Sequence, residues 1–463
     1  MATAKVMLDD VPVTGFHRKL TLLTAGGPFL DGYILGIVGI ALALLTPDLH
    51  LKPFETGLIG AAALIGVFLG GAVFGYVTDL VGRQLMFTID LAVFVVGSVL
   101  QFFVTNAIEL FMLRLVLGVA VGADYPIATA LLAEFIPKKA RGPLLSTLVA
   151  AWWVGYAAAF VVGYILLKTG LNWRVILASS ALPSAVVLAA RIGTPESPRW
   201  LMKKGHVEKA REILLKFTGS TDIEEEPEAA NETNYARIFQ GDYLRRTVFV
   251  SVFWAAQVAP SFAIFTFAPQ LLSTLNLKDP YLGTLVMSLF FLVGVIPAIP
   301  LVNSWGRRPV LIWPFLITGV ALLLLGVVPG LPGWAVVVLF IVFAVFNAGS
   351  TVLEWVYPNE LFPTEVRATG IGFATAMSRV GAAGGTLALP VMLAHWGVGP
   401  SMVVFAAICG IGLLVSIPWA PETRGMSLAE SSATAGPPQK SSLRGARQDK
   451  RTLGGRGCGT CHG

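Results

Sequence analysis

The stretch that decides the fold is GYVTDLVGR at 75–83, because a shortened copy, NSWGR at 303–307, returns 224 positions later. Two more motifs recur at nearly the same offset. EFIPKKARG at 134–142 returns as ELFPTEVR at 360–367, and PESPR at 195–199 returns as PETRG at 421–425, each 226 positions later. Three motifs repeated at nearly one offset predict two sequence-related halves with a common structure.

The composition excludes an ordinary soluble protein. Apolar residues make up 55% of the chain and charged residues 13%, against about 25% charged in a typical soluble domain. The apolar residues come in blocks of about 18–25, the length that crosses a hydrocarbon layer about 30 Å thick as a helix. We therefore predict an all-α membrane protein with twelve transmembrane helices in two pseudo-symmetric six-helix bundles.

The predicted spans divide into two groups of six with a long polar gap between them. They lie near 20–45, 56–78, 85–105, 110–133, 144–167 and 173–192, and then near 247–273, 281–302, 309–328, 333–357, 368–393 and 399–419. The corresponding segments are an N-terminal six-helix bundle at 1–192, a linker at 193–246, a C-terminal six-helix bundle at 247–426 and a tail at 427–463.

Lys and Arg residues concentrate on alternate connections, which predicts the orientation in the membrane. The central linker and the connections that carry the repeated motifs are rich in these residues, and the opposite connections hold few. Because short cytoplasmic loops carry the excess of Lys and Arg, both termini are expected in the cytoplasm. The basic pI of about 9.2 is then a sign of topology and does not indicate nucleic-acid binding.

The two polar segments outside the bundles have different patterns. In the linker, apolar residues at helical spacing among basic ones predict a short amphipathic helix over 197–217 on the cytoplasmic face. The tail, rich in Ser, Gly, Arg and Gln, is expected to be disordered. It ends in Cys458-Gly-Thr-Cys461-His462, a pattern of covalent haem attachment. No surrounding domain could cover a haem, so we expect no cofactor and no metal site.

Together the motifs resemble those of the sugar-porter-like branch of the major facilitator superfamily. The resemblance covers residues from about 20 to 430 and includes the RLVLG stretch at 114–118 of the fourth helix. It implies two bundles that rock about a central substrate site. Gln84 replaces a basic residue usual in the first motif, and Asn303 replaces the acid in its second copy, so the C-terminal gate is expected to be the weaker one.

The resemblance assigns the charged helix ends to a cytoplasmic gate. Ion pairs there can join helix ends in one conformer and separate in the other, and the alternative is that they only stabilise the fold. Glu354, near the same end of helix 10, is also assigned to the gate. The predicted gate residues are Asp79, Arg83, Glu134, Arg141, Arg307, Glu360 and Arg367.

Ionisable residues in the middle of a span are candidates for function because they are costly in a membrane. Asp31 in helix 1, Asp124 in helix 4 and Arg379 in helix 11 lie near the midpoints of their spans, and Arg114 lies nearer the outer surface. We predict that Asp31, Asp124 and Arg114 take part in proton coupling. Arg379 is a permanent cation, which predicts either a partner for Asp31 or Asp124 or a clamp for an anionic substrate.

The surroundings of the two acids resemble those of known symporters. The stretch GVAVGADYPIAT at 118–129 looks like the helix 4 signature of proton-coupled phosphate and metabolite symporters, and Asp31-Gly-Tyr33 resembles the start of helix 1 in metabolite and aromatic-acid symporters. Ile34 stands where a second acid is common. Gly118 and Gly122, four residues apart, are expected to pack helices together and not to bind a ligand.

Large polar and aromatic residues in the spans are candidates for contacts with the substrate, with packing as the alternative. Trp355 precedes Glu360 at the spacing of the helix 10 tryptophan in sugar porters, but the usual Gly-Pro-x-Pro before it is missing. Helix 7 also lacks the Gln-Gln and Asn pattern of sugar binding. The predicted substrate-binding residues are Arg379, Trp355, Gln257, Tyr156 and Trp152.

The sequence thus predicts a monomeric transporter of the inner membrane that moves a small polar organic solute, an organic acid or a sugar-like metabolite, by proton symport. An inorganic phosphate or organic-anion symporter is the nearest alternative. A proton-driven exporter and a sensor that binds solute without moving it remain further alternatives. The partners expected are a small-molecule substrate, protons and the lipid bilayer, with no nucleic acid. No nucleotide-binding loop, nucleophile or metal set indicates an enzyme.

Overall fold

The computed structural model describes residues 11–218, 235–275, 277–362 and 366–426, apart from some side chains within the helices. This part of the chain is helical, with seventeen α-helices and two short 3₁₀ helices at 101–103 and 235–239. Twelve of its helical segments are long and apolar enough to cross a membrane. The predicted number of spans and the all-α class are confirmed.

The N-terminal bundle consists of seven helices. Its sixth span is interrupted at 179–180, so that two short helices share it. The helices are α1 Gly15–Asp48, α2 Pro53–Val81, α3 Arg83–Leu100, α4 Ala107–Ala133, α5 Lys138–Lys168, α6 Trp173–Ala178 and α7 Ala181–Arg191.

The C-terminal bundle consists of eight helices, because its first and fourth spans are each interrupted at one residue, Phe267 and Val352. The helices are α10 Gly241–Thr266, α11 Ala268–Thr274, α12 Pro280–Ser304, α13 Arg307–Val327, α14 Gly333–Thr351, α15 Leu353–Leu361, α16 Arg367–Trp396 and α17 Val398–Trp419.

Residues 197–218 of the linker form two α-helices where one was predicted. α8 covers Pro198–Lys203 and α9 covers Val207–Thr218. Gly205 lies between them with a φ of +83°, a conformation that glycine adopts readily and that ends a helix. The prediction of one helix over 197–217 is therefore wrong, although Leu201 and Leu214 are buried as the amphipathic pattern required.

Two motif glycines make the sharp turns in which the repeated loops begin. Gly82 joins α2 to α3 with a φ of +118°, and Gly306 joins α12 to α13 with a φ of +104°. Residues other than glycine rarely adopt such backbone angles. The glycine of the repeated Gly-Arg pair is therefore required by the same turn in both halves.

Small residues bring the helices of the N-terminal bundle close together. A Cβ atom on Gly155 of α5 would lie 1.8 Å from the carbonyl oxygen of Phe29 in α1. On α4, a Cβ atom on Gly118 would lie 2.1 Å from the carbonyl oxygen of Ala63, and one on Gly122 would lie 2.4 Å from that of Val67. The predicted packing role of Gly118 and Gly122 is confirmed, and both pack on α2.

The two bundles meet along α2 with α16 and along α5 with α12. One end of the molecule carries Lys168 and is called the Lys168 end, and the other carries Glu134 and is called the Glu134 end. At the Lys168 end, a Cβ atom on Gly57 of α2 would lie 2.4 Å from the carbonyl oxygen of Leu387 in α16. The bundles are therefore in tight contact at that end.

Candidate functional site

A buried ion pair lies at the Glu134 end of the N-terminal bundle. The Nε atom of Arg83 lies 2.7 Å from Oε1 of Glu134, and the hydroxyl of Ser197 donates a hydrogen bond to the same carboxylate. Burial raises the pKa of Glu134, while the charge of Arg83 opposes that rise. This pair joins the start of α3 to the end of α4, so both of its members belong to one half.

Glu196 of the PESPR motif binds the start of α3. It accepts hydrogen bonds from the backbone N–H groups of Arg83 and Gln84, each at 3.1 Å. A carboxylate at this position satisfies free N–H groups and interacts favourably with the helix dipole. Glu196 of the third repeated motif therefore holds the turn between α2 and α3 from outside the bundle.

The C-terminal bundle repeats this arrangement. The Nη2 atom of Arg307 lies 2.9 Å from Oε1 of Glu360, and the hydroxyl of Thr423 donates to Glu360. Glu422 accepts the backbone N–H groups of Arg307 at 3.0 Å and Arg308 at 3.1 Å. The three repeated motifs thus converge in each half, and the described contacts of the second set match those of the first.

Four of the predicted site residues have side chains outside the described part of the structure, namely Asp79, Arg141, Trp355 and Arg367. Among the side chains that are described, the two gate ion pairs each lie within one half. Their assignment to a gate therefore remains a prediction.

Asp31 of α1 and Asp124 of α4 form a buried acidic pair. Both are 0% exposed, and their carboxylates are direct electrostatic neighbours. Gly27, one turn before Asp31, leaves the space for this contact, because a Cβ atom there would lie 2.5 Å from Oδ2 of Asp124. No N–H or hydroxyl group of the described residues donates to either carboxylate.

Two charged residues that the sequence analysis did not identify surround this pair. Asp90 of α3 is 4% exposed and lies within electrostatic reach of Asp124. Arg191 at the end of α7 attracts Asp124. Its Nη1 donates to the hydroxyl of Thr24 at 3.0 Å, and its Cζ lies 3.7 Å from the centre of the Phe87 ring.

The signal that could have found these two residues was burial of charge. Asp90 stands in the otherwise apolar run LMFTIDLAVF at 85–94, and Arg191 ends an apolar span. Arg191 is at the end of its helix, where charge is ordinary, whereas Asp90 is near the middle of α3. Only the packing of α3 against α4, and of α7 against α3 and α1, shows that both charges point inward.

Arg114 is buried beside α1 and not beside Asp31. It is 1% exposed, and its Nη1 donates to the carbonyl oxygen of Ile34 at 3.0 Å, one turn beyond the aspartate. Its Nε and Nη2 atoms have no hydrogen-bond partner among the described residues. The structure thus gives Arg114 a contact with the backbone of α1, and its role in proton coupling stays a prediction.

Arg379 of α16 reaches across the boundary between the bundles. Its Cζ lies 5.7 Å from the centre of the ring of Tyr125, the residue after Asp124. The hydroxyl of Tyr125 accepts a hydrogen bond from Nε1 of Trp152 at 2.9 Å. Arg379 is 7% exposed and also attracts Asp31, so the structure brings together three predicted charges from the two halves.

The predicted aromatic residues of α5 pack across the same boundary. Trp152 and Tyr156 stack with ring centroids 5.4 Å apart. Edge-on contacts join them to Phe262 and Phe265 of α10, with centroids 6.4 Å and 6.1 Å apart. The two residues therefore connect α5 to α10 across the boundary.

The C-terminal bundle holds an uncharged amide pair where the N-terminal bundle holds the acids. Gln257 follows Asp31 by 226 positions, which is the offset of two gate motifs, and Asn347 follows Asp124 by 223. Nε2 of Gln257 donates to Oδ1 of Asn347 at 3.1 Å, and Ser261 donates to the same oxygen. Gln257 of α10 is thus engaged in a buried hydrogen-bond network with Asn347 of α14.

The described residues contain no cluster of three or more His, Cys, Asp or Glu side chains that could hold a metal ion. Cys458, Cys461 and His462 lie outside the described residues.

Comparison with known proteins agrees with this architecture. The family model described as "Sugar (and other) transporter" matches residues 20–434. The putative metabolite transport protein YaaU of Escherichia coli (strain K12) is 43% identical over 427 residues, which cover 92% of this chain and 96% of that protein. The inner membrane metabolite transport protein YgcS of the same strain is 37% identical over 438 residues, 94% and 98% of the two chains.

A solved structure shows the same fold. The inward open conformation of the xylose transporter XylE from E. coli superimposes with a TM-score of 0.75 at 23% identity. The match covers 90% of this chain and 99% of that chain. The expected fold, with two six-helix bundles of the major facilitator type, is confirmed.

Proposed function

The chain belongs to the family of sugar and other transporters, and we propose that it carries a small polar organic solute by proton symport. Its fold and its relatives are those of multi-pass inner-membrane transporters, which are not enzymes. The observation that carries the proposal of proton coupling is the buried pair of Asp31 and Asp124, with Arg379 of the other half beside it.

The acidic pair is suited to hold a proton. Two carboxylates in contact repel each other strongly where water is excluded, so a single proton shared between them stabilises the pair. Arg191 compensates part of the charge from within the N-terminal bundle. Asp31 is then the member whose charge depends most on what the other bundle brings near it.

Arg379 competes with the proton for Asp31. In this structure the guanidinium lies in the boundary, above Tyr125 and within reach of Asp31. When the bundles rock, Arg379 moves with α16 while Asp31 moves with α1. Approach of Arg379 favours the ionised form of Asp31, and its withdrawal favours proton binding, which links protonation to the conformation of the transporter.

The difference between the halves supports this assignment. Gln257 and Asn347 occupy the equivalent place in the C-terminal bundle and have no proton to exchange in the physiological range. Proton coupling is therefore assigned to the N-terminal bundle. The C-terminal bundle contributes the fixed charge of Arg379 and an amide network suited to polar groups of a solute.

The direction of opening follows from the proposed orientation. The Lys and Arg pattern places the Glu134 end and both termini in the cytoplasm. The bundles are in contact at the Lys168 end, where α5 meets α12 and α2 meets α16. The structure then represents a conformer closed to the outside. Both sides are reached in turn when the contact at one end opens as that at the other forms.

An anionic substrate is the second candidate. The Nε atom of Arg379 has no hydrogen-bond partner among the described residues, so the guanidinium retains the capacity to bind a carboxylate or phosphate group. This reading replaces a neutral solute by an organic anion or inorganic phosphate. A neutral sugar and an anion make opposite demands on Arg379, which makes the two substrates distinguishable by mutation.

The test begins with the purified protein and a thermal-shift screen against sugars, carboxylates, phosphate and organic cations, because a specific ligand stabilises the folded state by mass action. The ligand found is then used in proteoliposomes with an imposed pH gradient. Wild type is expected to accumulate it. Asp31→Asn is expected to lose accumulation but to retain exchange of internal for external ligand.

Asp242→Asn, an exposed acid at the start of α10, is the matched control and is expected to behave as wild type. Unchanged gradient-driven accumulation in both Asp31→Asn and Asp124→Asn would refute the proposed proton site. Loss of binding in Arg379→Gln supports the anionic substrate, and retained binding supports the neutral one.

A further inference from the structure

Glu354 is a buried acid that the gate assignment does not explain. It lies at the start of α15, directly after the interruption of the tenth span at Val352. It is 8% exposed, and its Oε1 atom has no hydrogen-bond partner among the described residues. The gate pair at Glu360 lies almost two turns further along α15. A carboxylate buried in this way needs a cation or a proton to offset the loss of water.

The cation that offsets the charge of Glu354 is Arg379. α16 packs against α15, and the charge of Arg379 acts on Glu354 in one half and on Asp31 in the other. Arg379 itself is 7% exposed with an unpartnered Nε atom. The guanidinium therefore lies within reach of one buried carboxylate from each bundle and is fully engaged by neither.

The backbone around Glu354 is weakened on both sides. Before it, at Val352, the helical hydrogen-bond pattern is broken, although that residue keeps helical dihedral angles. Pro358, four residues after it, has no N–H group to donate to the carbonyl oxygen of Glu354. Helices bend where the ladder of hydrogen bonds is broken. α15 is thus a short segment that can turn relative to α14 while keeping its own end intact.

That end of α15 carries the C-terminal gate pair. Glu360 is one residue before the end of the helix and binds Arg307, with Nη2 2.9 Å from Oε1. A movement of Glu354 toward or away from Arg379 is therefore transmitted by one nine-residue helix to the Glu134 end of the molecule.

We propose that Glu354 is the second counter-ion of Arg379, a positioning residue that receives the guanidinium when Asp31 binds a proton. The transfer turns α15 and alters the gate pair of Glu360 and Arg307. This proposal rests on the proposed role of Asp31 as proton site. It extends that role by naming the group that draws Arg379 away and the helix that carries the signal.

The groups around the transfer are few. Arg379 faces Asp31 from α1, Tyr125 from α4 and Glu354 from α15. Asp31 in turn faces Asp124 and Asp90. Trp254 of α10 lies beside Glu354 and does not titrate. The carboxyl groups are thus the ones that can change charge, and the guanidinium moves among them.

The test measures the distance between the halves without a substrate. Spin labels are placed at Leu85→Cys and Ser304→Cys, exposed positions at the Glu134 end of the two bundles. The background has the three native cysteines, Cys409, Cys458 and Cys461, replaced by serine. Pulsed electron–electron double resonance in lipid nanodiscs then gives the distribution of distances between the two labels as a function of pH.

Wild type is expected to change its distance distribution with pH, and Asp31→Asn is expected to abolish that change. In Glu354→Gln the guanidinium stays with Asp31 and favours its ionised form, so the midpoint should move to lower pH by about one unit. Glu354→Asp retains the charge and should restore the wild-type midpoint. Glu212→Gln, an exposed acid of α9, should leave it unchanged.

A wild-type midpoint in Glu354→Gln, with Asp31→Asn still insensitive to pH, would overturn this proposal and leave the proton site intact. A midpoint in Glu354→Asp displaced as far as in Glu354→Gln would also overturn it, because only packing would then be involved. No pH response in wild type, or an unchanged response in Asp31→Asn, would instead refute the proposed function.

Discussion

Lys168 at the end of α5 and Asp279 just before α12 form an ion pair between the two bundles, with Nζ 2.8 Å from Oδ2. The hydroxyl of Tyr164 donates to the same oxygen at 3.2 Å, and the other oxygen of Asp279 accepts the backbone N–H of Leu282 at 3.0 Å. These hydrogen bonds, with that from Lys168 the strongest, lower the pKa of Asp279. The pair is therefore ionised throughout the physiological range.

Breaking this pair is expected to favour opening at the Lys168 end. The probe is a cysteine at Thr386, which is buried beside Gly60 where α16 meets α2. Because exposed ion pairs contribute little, Lys168→Gln should raise the rate of alkylation at this cysteine by about twofold. Lys278→Gln removes the same charge nearby and should have no effect. Equal rates in the two variants would show that the ion pair of Lys168 and Asp279 does not hold the Lys168 end closed.

The stabilisation of this contact by the ion pair of Lys168 and Asp279 should also depend on pH. Because the pKa of Asp279 is lowered in the folded state, its ionised carboxylate stabilises this contact fully at any pH above the ordinary pKa of an aspartate. The stabilisation is lost as the pH falls through the lowered pKa. The excess alkylation of Lys168→Gln over wild type at position 386 should therefore persist at neutral pH and disappear only in strong acid. Loss of that excess near neutral pH would assign the contact at this end to another group.

Glu134 is expected to give the opposite dependence. Burial raises its pKa, so the unfolded chain releases this proton near the usual value of about 4.3 while the folded protein still holds it. Stability conferred by Glu134 should then fall as the pH rises through that window. In detergent, the unfolding temperature of wild type should decline by about 2 °C more than that of Glu134→Gln. Glu212→Gln should decline as wild type does.

Gly27→Ala should disturb the acidic pair without changing any charge. The added Cβ atom would lie 2.5 Å from Oδ2 of Asp124, and this short buried side chain has little room to withdraw. We expect gradient-driven accumulation in proteoliposomes to fall several-fold while the protein still folds. Gly384→Ala, where a Cβ atom meets nothing within 4 Å, is the control. Normal accumulation in Gly27→Ala would show that the position of Asp124 is not critical.

Gly155→Ala should destabilise the N-terminal bundle itself. Its Cβ atom would lie 1.8 Å from the carbonyl oxygen of Phe29, so α5 would have to move away from α1. Overpacking of this kind typically costs about 1–3 kcal/mol. Gly384→Ala should instead be neutral or stabilising, since alanine favours the helix by about 1 kcal/mol over glycine. Unfolding temperatures measured side by side decide the matter, and equal values would contradict the tight contact.

Much of the architecture was predictable because it depends on local composition. An apolar block long enough to cross a membrane forms a helix whatever its neighbours are, and the repeated motifs placed equivalent loops at equivalent ends. The linker helix was wrong at one residue. Gly205 adopts a positive φ and divides the segment into α8 and α9, a choice that the apolar periodicity alone does not reveal.

The candidate site was predictable only in part. The depth of Asp31, Asp124 and Arg379 followed from their positions in the spans, but which residues meet depends on how each helix is rotated about its axis. Asp90 and Arg191 were missed for this reason, because only the packed helices show that both charges are buried within reach of Asp124.

The amino-acid sequence by itself determined the membrane-spanning class, the division into two related halves and the six motif copies at the Glu134 end of the molecule. Those features follow from hydrophobicity and from glycine and charge at fixed spacing. Tertiary structure alone decided that two acids share one site, that amides replace them in the other half, and that Arg379 stands within reach of both bundles. Electrostatic energy depends on distance and on exclusion of water, and close helix packing sets both.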